Sequence, residues 1–175
     1  MKHAALLLAL ALTGCGFTPA KMFSGSAPIE VREVGRSLYC NTPAEDTQVL
    51  LLPGAQAVMD WQTARGVTLA GSESLTQSPY AVVETGVRPT GGYSLAVARS
   101  AVLRGERVIL QATFFVPSAG SLRTQALSSP CVLVQLPAGR YAVVEVQDPS
   151  GVVRATGVVP SPPAPAPAPA TAEPQ

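Results

Sequence analysis

Apolar residues in this chain recur mainly at alternate positions, in short runs bounded by Gly, Pro, Ser and Asn, the period of a strand with one buried face. Ile29–Val34 predicts a first strand and Thr47–Leu52 a second, more deeply buried one, with a turn at Asn41-Thr42-Pro43 between them. Pro53-Gly54 introduces the one interruption. Ala55–Arg65 is a stretch of helix formers ended by Gly66, with Ala57, Val58 and Trp61 on one face and Asp60 and Arg65 on another, so it predicts a short helix. Trp61 is a candidate ligand platform, but its position on the same face as Val58 reads as core packing. A polar, serine-rich connection runs from Gly66 to Pro79, with a short strand predicted at Val67–Leu69.

β character resumes at Tyr80–Thr85, and Tyr93–Ala98 sets Tyr93, Leu95 and Val97 on one face. Between them lies a proline-glycine corner, Arg88-Pro89-Thr90-Gly91-Gly92-Tyr93; the two runs predict a hairpin about it, with Gly91 and Gly92 supplying positive φ. The two glycine amides are also a candidate anion nest, with the turn alone the simpler reading. Arg104-Gly105-Glu106 turns the chain into Arg107–Phe115, which Pro117 stops, giving a meander. Beyond a polar loop, Cys131–Leu136 is another strand, and Tyr141–Gln147 and Val152–Val159 flank Asp148-Pro149-Ser150-Gly151 as a hairpin. Seven or eight strands and one helix predict a mainly β domain over 29–159, an antiparallel β-sandwich or open barrel, with α+β as the alternative.

Both ends depart from this pattern. Met1-Lys2-His3 is a short basic start, and Ala4–Leu12 is an apolar run well short of the roughly 20 residues a spanning helix needs, so residues 1–14 read as a signal peptide. Leu12-Thr13-Gly14-Cys15 resembles the bacterial lipobox, which implies cleavage before Cys15, lipidation of its thiol and attachment to a lipid bilayer. Two or more acyl chains, at about 0.8 kcal/mol per buried methylene, hold a protein at a membrane. Gly16 in place of an Asp implies the outer membrane, facing periplasm or surface. Residues 15–28 read as a flexible tether, and 160–175 as a disordered Pro-Ala tail in polyproline II, a spacer or else a polyproline ligand.

Composition narrows the chemistry. Lys+Arg 12 against Asp+Glu 11 gives a net charge of +1, which leaves no basic field for nucleic acid. The single histidine, His3, lies in the predicted leader, so the mature chain offers no Ser-His, Cys-His or His-metal arrangement. The carboxylates, Glu84 among them, are scattered and read mostly as solvated surface charges without an acid-base pair. No catalytic residue, metal site or cofactor is predicted. With Cys15 committed to lipid, Cys40 and Cys131 remain as an even pair in a compartment where disulfides persist. A disulfide is the favoured reading; two buried free thiols and a metal pair stay open.

Four segments carry a family resemblance: Val82-Val83-Glu84-Thr85-Gly86, Pro89-Thr90-Gly91-Gly92-Tyr93-Ser94, Phe115-Val116-Pro117, and Ser129-Pro130 leading into Val132–Pro137. Together they resemble the PrcB C-terminal domain, with its core at 82–137. That family is named after a lipoprotein subunit of a bacterial surface protease complex. The resemblance implies association with, or stabilisation of, an envelope protein such as a protease, and not proteolysis itself. The corner is also similar to the loop that chagasin-like protease inhibitors present from a β-sandwich, although their other two loops have no counterpart here. The expectation is a membrane-anchored, non-catalytic envelope lipoprotein that binds a partner protein through Arg88, Pro89, Thr90, Gly91, Gly92 and Tyr93. The alternative is a protease inhibitor presenting Pro89–Tyr93.

Overall fold

The computed structural model describes residues 25–158. The predicted leader, Cys15, most of the tether and the tail from 160 lie outside the described residues. Strands β1 (Ser26–Glu30), β5 (Ser94–Arg104), β6 (Arg107–Phe115), β8 (Val143–Gln147) and β9 (Val153–Val158) form one sheet in the order β1-β5-β6-β8-β9. Strands β2 (Arg32–Ser37), β7 (Cys131–Gln135), β4 (Tyr80–Glu84) and β3 (Gln48–Leu52) form the other in the order β2-β7-β4-β3. Neighbours are antiparallel except β6 and β8, which run parallel. The fold of the described residues is therefore a mainly β sandwich, not a closed barrel, with one α-helix among them, α1 (Ala55–Arg65).

Alternate side chains of the two sheets meet in the core. Val49, Leu51, Ala81, Val83, Val132 and Val134 of the four-stranded sheet face Leu95, Val108, Leu110, Ala112, Val144 and Val146 of the other. A second cluster covers the outer face of the four-stranded sheet, where Tyr80, Val82, Cys131 and Leu133 meet Val58, Trp61 and Ala70. Strands β4 and β7 are thus buried on both faces, which is why their sequences read as unbroken apolar runs. Trp61 is a packing residue, 8% exposed. Helix α1 ends at Gly66 in the left-handed conformation, φ 63°, as its sequence predicts. Cys40 and Cys131 are joined in a disulfide that ties the β2–β3 connection to β7.

The structure corrects several expectations. Tyr80–Thr85 and Tyr93–Ala98 do not form a hairpin: β4 and β5 belong to opposite sheets, and the corner carries the chain across the sandwich. Residues 85–91 instead run beside 124–130, through Thr85 N–H to the Pro130 carbonyl at 2.9 Å and Gly91 N–H to the Thr124 carbonyl at 3.0 Å. Positive φ occurs at Gly92, 90°, and not at Gly91. The stretch Ile29–Val34 is not one strand. It switches sheets at Val31, so that β1 and β2 edge different sheets and Ser26–Pro28, assigned to the tether, are already strand. Val67–Leu69 is not a strand, because a side chain satisfies part of the backbone here: Gln62 Oε1 accepts from Leu69 N–H at 2.6 Å and Ala70 N–H at 2.9 Å, and its amide donates to the Ala70 carbonyl.

The two long seams of the sandwich differ. At one, β3 and β9 approach so closely that a Cβ on Gly157 would stand 2.3 Å from the Val49 carbonyl oxygen. At the other, the strand switch at Val31 leaves an open groove of about 660 Å³ beside Glu30, Arg32, Glu33 and Arg99.

Candidate functional site

The topology gives the domain two unlike ends. Residues 25 and 158 lie at the same end, on opposite edges of the five-stranded sheet: Ser26 pairs with Arg104, whose other neighbour Arg107 is followed across the sheet by Val143 and Val158. The corner lies at the other, with the connections 38–47, 116–130 and 148–152 and the end of α1. Strand β5 spans that distance with 11 residues, about 30 Å.

Exposed apolar residues are segregated in the same sense. Among the described residues nine large hydrophobics are exposed, and only Val158 lies at the end where the chain enters and leaves. Leu38, Tyr39, Phe115, Val116, Leu122, Leu127, Val152 and Val153 all belong to the corner end, Leu122 being fully exposed at 104%. Arg88, Arg123 and Arg154 stand among them. Clustered exposed apolar side chains with arginine and aromatic groups are the composition of a protein-binding surface.

The six corner residues predicted to meet a partner are brought together here, and their backbone is fixed by the loop that precedes β7. Arg88 and Ser128 exchange backbone hydrogen bonds of 2.7 and 2.9 Å, and the Ser128 hydroxyl donates to the Thr90 carbonyl at 2.8 Å. Arg123 closes the same loop on itself by donating to the Ser118 carbonyl and to the Ser121 hydroxyl. Because the Gly91 amide is committed to Thr124, the glycine pair does not form an anion nest. Gly92 is required twice over, by its φ and by Pro117, whose Cβ would lie 3.0 Å from an added Cβ. The guanidinium of Arg88 donates to the Thr85 carbonyl and stands 6.0 Å from the centroid of the Tyr93 ring.

Beneath this surface lies a buried charge that corrects the reading of Glu84 as solvated. Its side chain is fully buried; Oε2 meets the Arg65 guanidinium at 3.2 Å and accepts from the Thr42 hydroxyl at 3.2 Å, while Oε1 has no partner. Burial pushes the Glu84 carboxyl above the ordinary range, against the opposing pull of Arg65 and Thr42. Arg65 also donates toward the Asn41 carbonyl, and the Asn41 amide returns a bond to the Arg65 carbonyl at 2.8 Å. These contacts lock the end of α1 to the β2–β3 connection. A sequence signal for Glu84 exists in its phase: it follows Tyr80 and Val82 at intervals of two and shares their face. The apolar crown carries no such signal, because its members come from three separate connections.

Comparison with known proteins adds one finding. Residues 79–137 match the family described as PrcB C-terminal. That stretch runs from β4 through the corner, β5, β6 and the Arg123 loop to the end of β7, so it spans both sheets and carries half of the exposed apolar residues of that end. No curated protein and no solved structure matches the chain.

Proposed function

We propose that this chain is a membrane-anchored, non-catalytic lipoprotein whose corner end binds and stabilises an envelope protein, a secreted or surface protease being the partner class that the PrcB C-terminal match favours. One observation carries the reading: among the described residues, eight of the nine exposed large hydrophobics are gathered at the end opposite residues 25 and 158. A tether attached through Cys15 would enter beside Ser26 and leave that end directed away from the bilayer, about 30 Å beyond the point of entry.

The carboxylates support this reading over a hydrolytic one. Glu84 is sequestered beneath the surface, and Asp148 is held by the Ser150 and Val152 amides of its own turn. The inhibitor alternative is less favoured, because the Arg88 and Gly91 amides are bonded inside the domain and the corner is not a projecting hairpin.

Fractionation tests the anchor and co-isolation tests the binding. Cys15→Ser shifts the protein from the membrane to the soluble fraction, and solubilised membranes yield the wild-type chain in a reproducible complex that Leu122→Asp with Leu127→Asp disrupts. A membrane pool unaffected by Cys15→Ser contradicts the anchor; recovery of the chain alone contradicts the binding.

A further inference from the structure

At the corner end, Tyr93, Phe114, Phe115 and Val116 wall a small pocket of about 130 Å³. An apolar cavity of about 150 Å³ accepts a benzene ring, so this space suits one side chain and not a peptide. Two guanidiniums stand at it. Arg88 lies over the Tyr93 ring, and Arg154 lies over the Phe114 ring at 5.1 Å from its centroid. Arg154 is paired with a carboxylate, Asp148, whereas Arg88 has no ion-pair partner among the described residues. Arg88 donates to the uncharged Thr85 carbonyl, and Arg154 reaches Asp148 Oδ2 only at 3.5 Å, while Asp148 Oδ1 is occupied by the Ser150 hydroxyl at 2.5 Å and by two backbone amides.

The larger groove at the open seam differs in this respect. Glu33 of its lining is paired with Arg36 at 2.5 Å and Arg32 with Gln135 at 2.7 Å, so these lining groups are satisfied within the chain. An apolar hole flanked by two guanidiniums, of which one is paired with a carboxylate, selects a ligand that is apolar at its tip and anionic beside it.

We infer that this pocket takes one branched aliphatic or phenyl side chain of the partner protein, with an adjacent Asp or Glu held between Arg88 and Arg154. The inference rests on the partner-binding reading of this end and specifies the chemistry that the partner presents.

The test is an amide-resolved NMR titration of the full chain carrying Cys15→Ser with the capped hexapeptide Gly-Ser-Leu-Asp-Gly-Ser and two relatives, Lys replacing Asp and Ala replacing Leu. The Leu-Asp peptide shifts the amides of Tyr93, Phe115, Val116 and Arg154 at millimolar concentration. Binding weakens about fivefold with Lys and at least about tenfold with Ala. Arg154→Gln removes the preference for Asp over Lys, and Phe115→Ser, at a half-exposed position, weakens all three peptides without altering shifts elsewhere. Equal binding of the Asp and Lys peptides, shifts centred elsewhere or no shift at millimolar peptide overturns the pocket assignment. A partner crosslinked through Leu122 or Leu127 with no peptide binding overturns the pocket alone; loss of both results overturns the partner-binding reading as well.

Discussion

The Arg65 guanidinium meets the Glu84 carboxylate at 3.2 Å, inside the layer between α1 and the four-stranded sheet. Glu84 is fully buried and the Arg65 side chain 17% exposed, and removing one member of such a pair costs about 3 kcal/mol because the other charge is stranded. Arg65→Ala therefore destabilises the domain by about that amount at neutral pH, measured by urea denaturation. The loss shrinks in acid, where Glu84 takes up a proton.

The same carboxyl makes stability depend on pH with a defined sign. Its folded value is raised above the ordinary one, so the native state binds the proton more tightly than the unfolded chain. Its contribution is fully present below the ordinary carboxyl range and is lost as pH rises through the raised folded value. Glu84→Gln removes this component, and denaturation midpoints compared with wild type across that window show a flatter profile. An identical slope in both proteins contradicts the assignment.

The Cys40–Cys131 bond closes a loop with a sequence separation of 91, for which chain entropy alone gives about 4 to 5 kcal/mol. Reduction, or the double substitution Cys40→Ser with Cys131→Ser, lowers stability by an amount of that order. Because the bond anchors the connection that carries Leu38 and Tyr39, hydrogen exchange increases first across 38–47.

The closed seam depends on Gly157. A methyl group there would stand 2.3 Å from the Val49 carbonyl oxygen, a backbone atom that moves only if β3 and β9 separate. Gly157→Ala destabilises by about 2 kcal/mol in thermal or urea unfolding, in the range of overpacked sites. Gly25→Ala, at a position with nothing within 4 Å, is the neutral control.

The contrast between these residues shows what the sequence made legible. Strand periodicity, the helix with its Gly66 stop and the β8–β9 hairpin are local, and each was readable from spacing alone. The disulfide followed from cysteine arithmetic and compartment, with alternatives. The corner misled because Pro and Gly at a chain reversal look alike whether the flanking strands pair or diverge to opposite sheets. The choice here is set by the distant segment 124–130, which takes the bonds of residues 85–91. The sheet switch at Val31 and the apolar end are likewise properties of topology. Leu38, Phe115, Leu127 and Val152 are unremarkable singly and form one end only after the strands are ordered.

Site-specific photocrosslinking in intact cells tests the central claim most directly. A photoreactive residue is placed at Leu122 or Leu127 of the corner end, and at Glu106 or Arg140 of the opposite end. The account predicts a reproducible protein adduct from Leu122 and Leu127 and none from Glu106 and Arg140. Adducts confined to Glu106 and Arg140, equal yields from both ends, or no adduct from any of the four positions would contradict it.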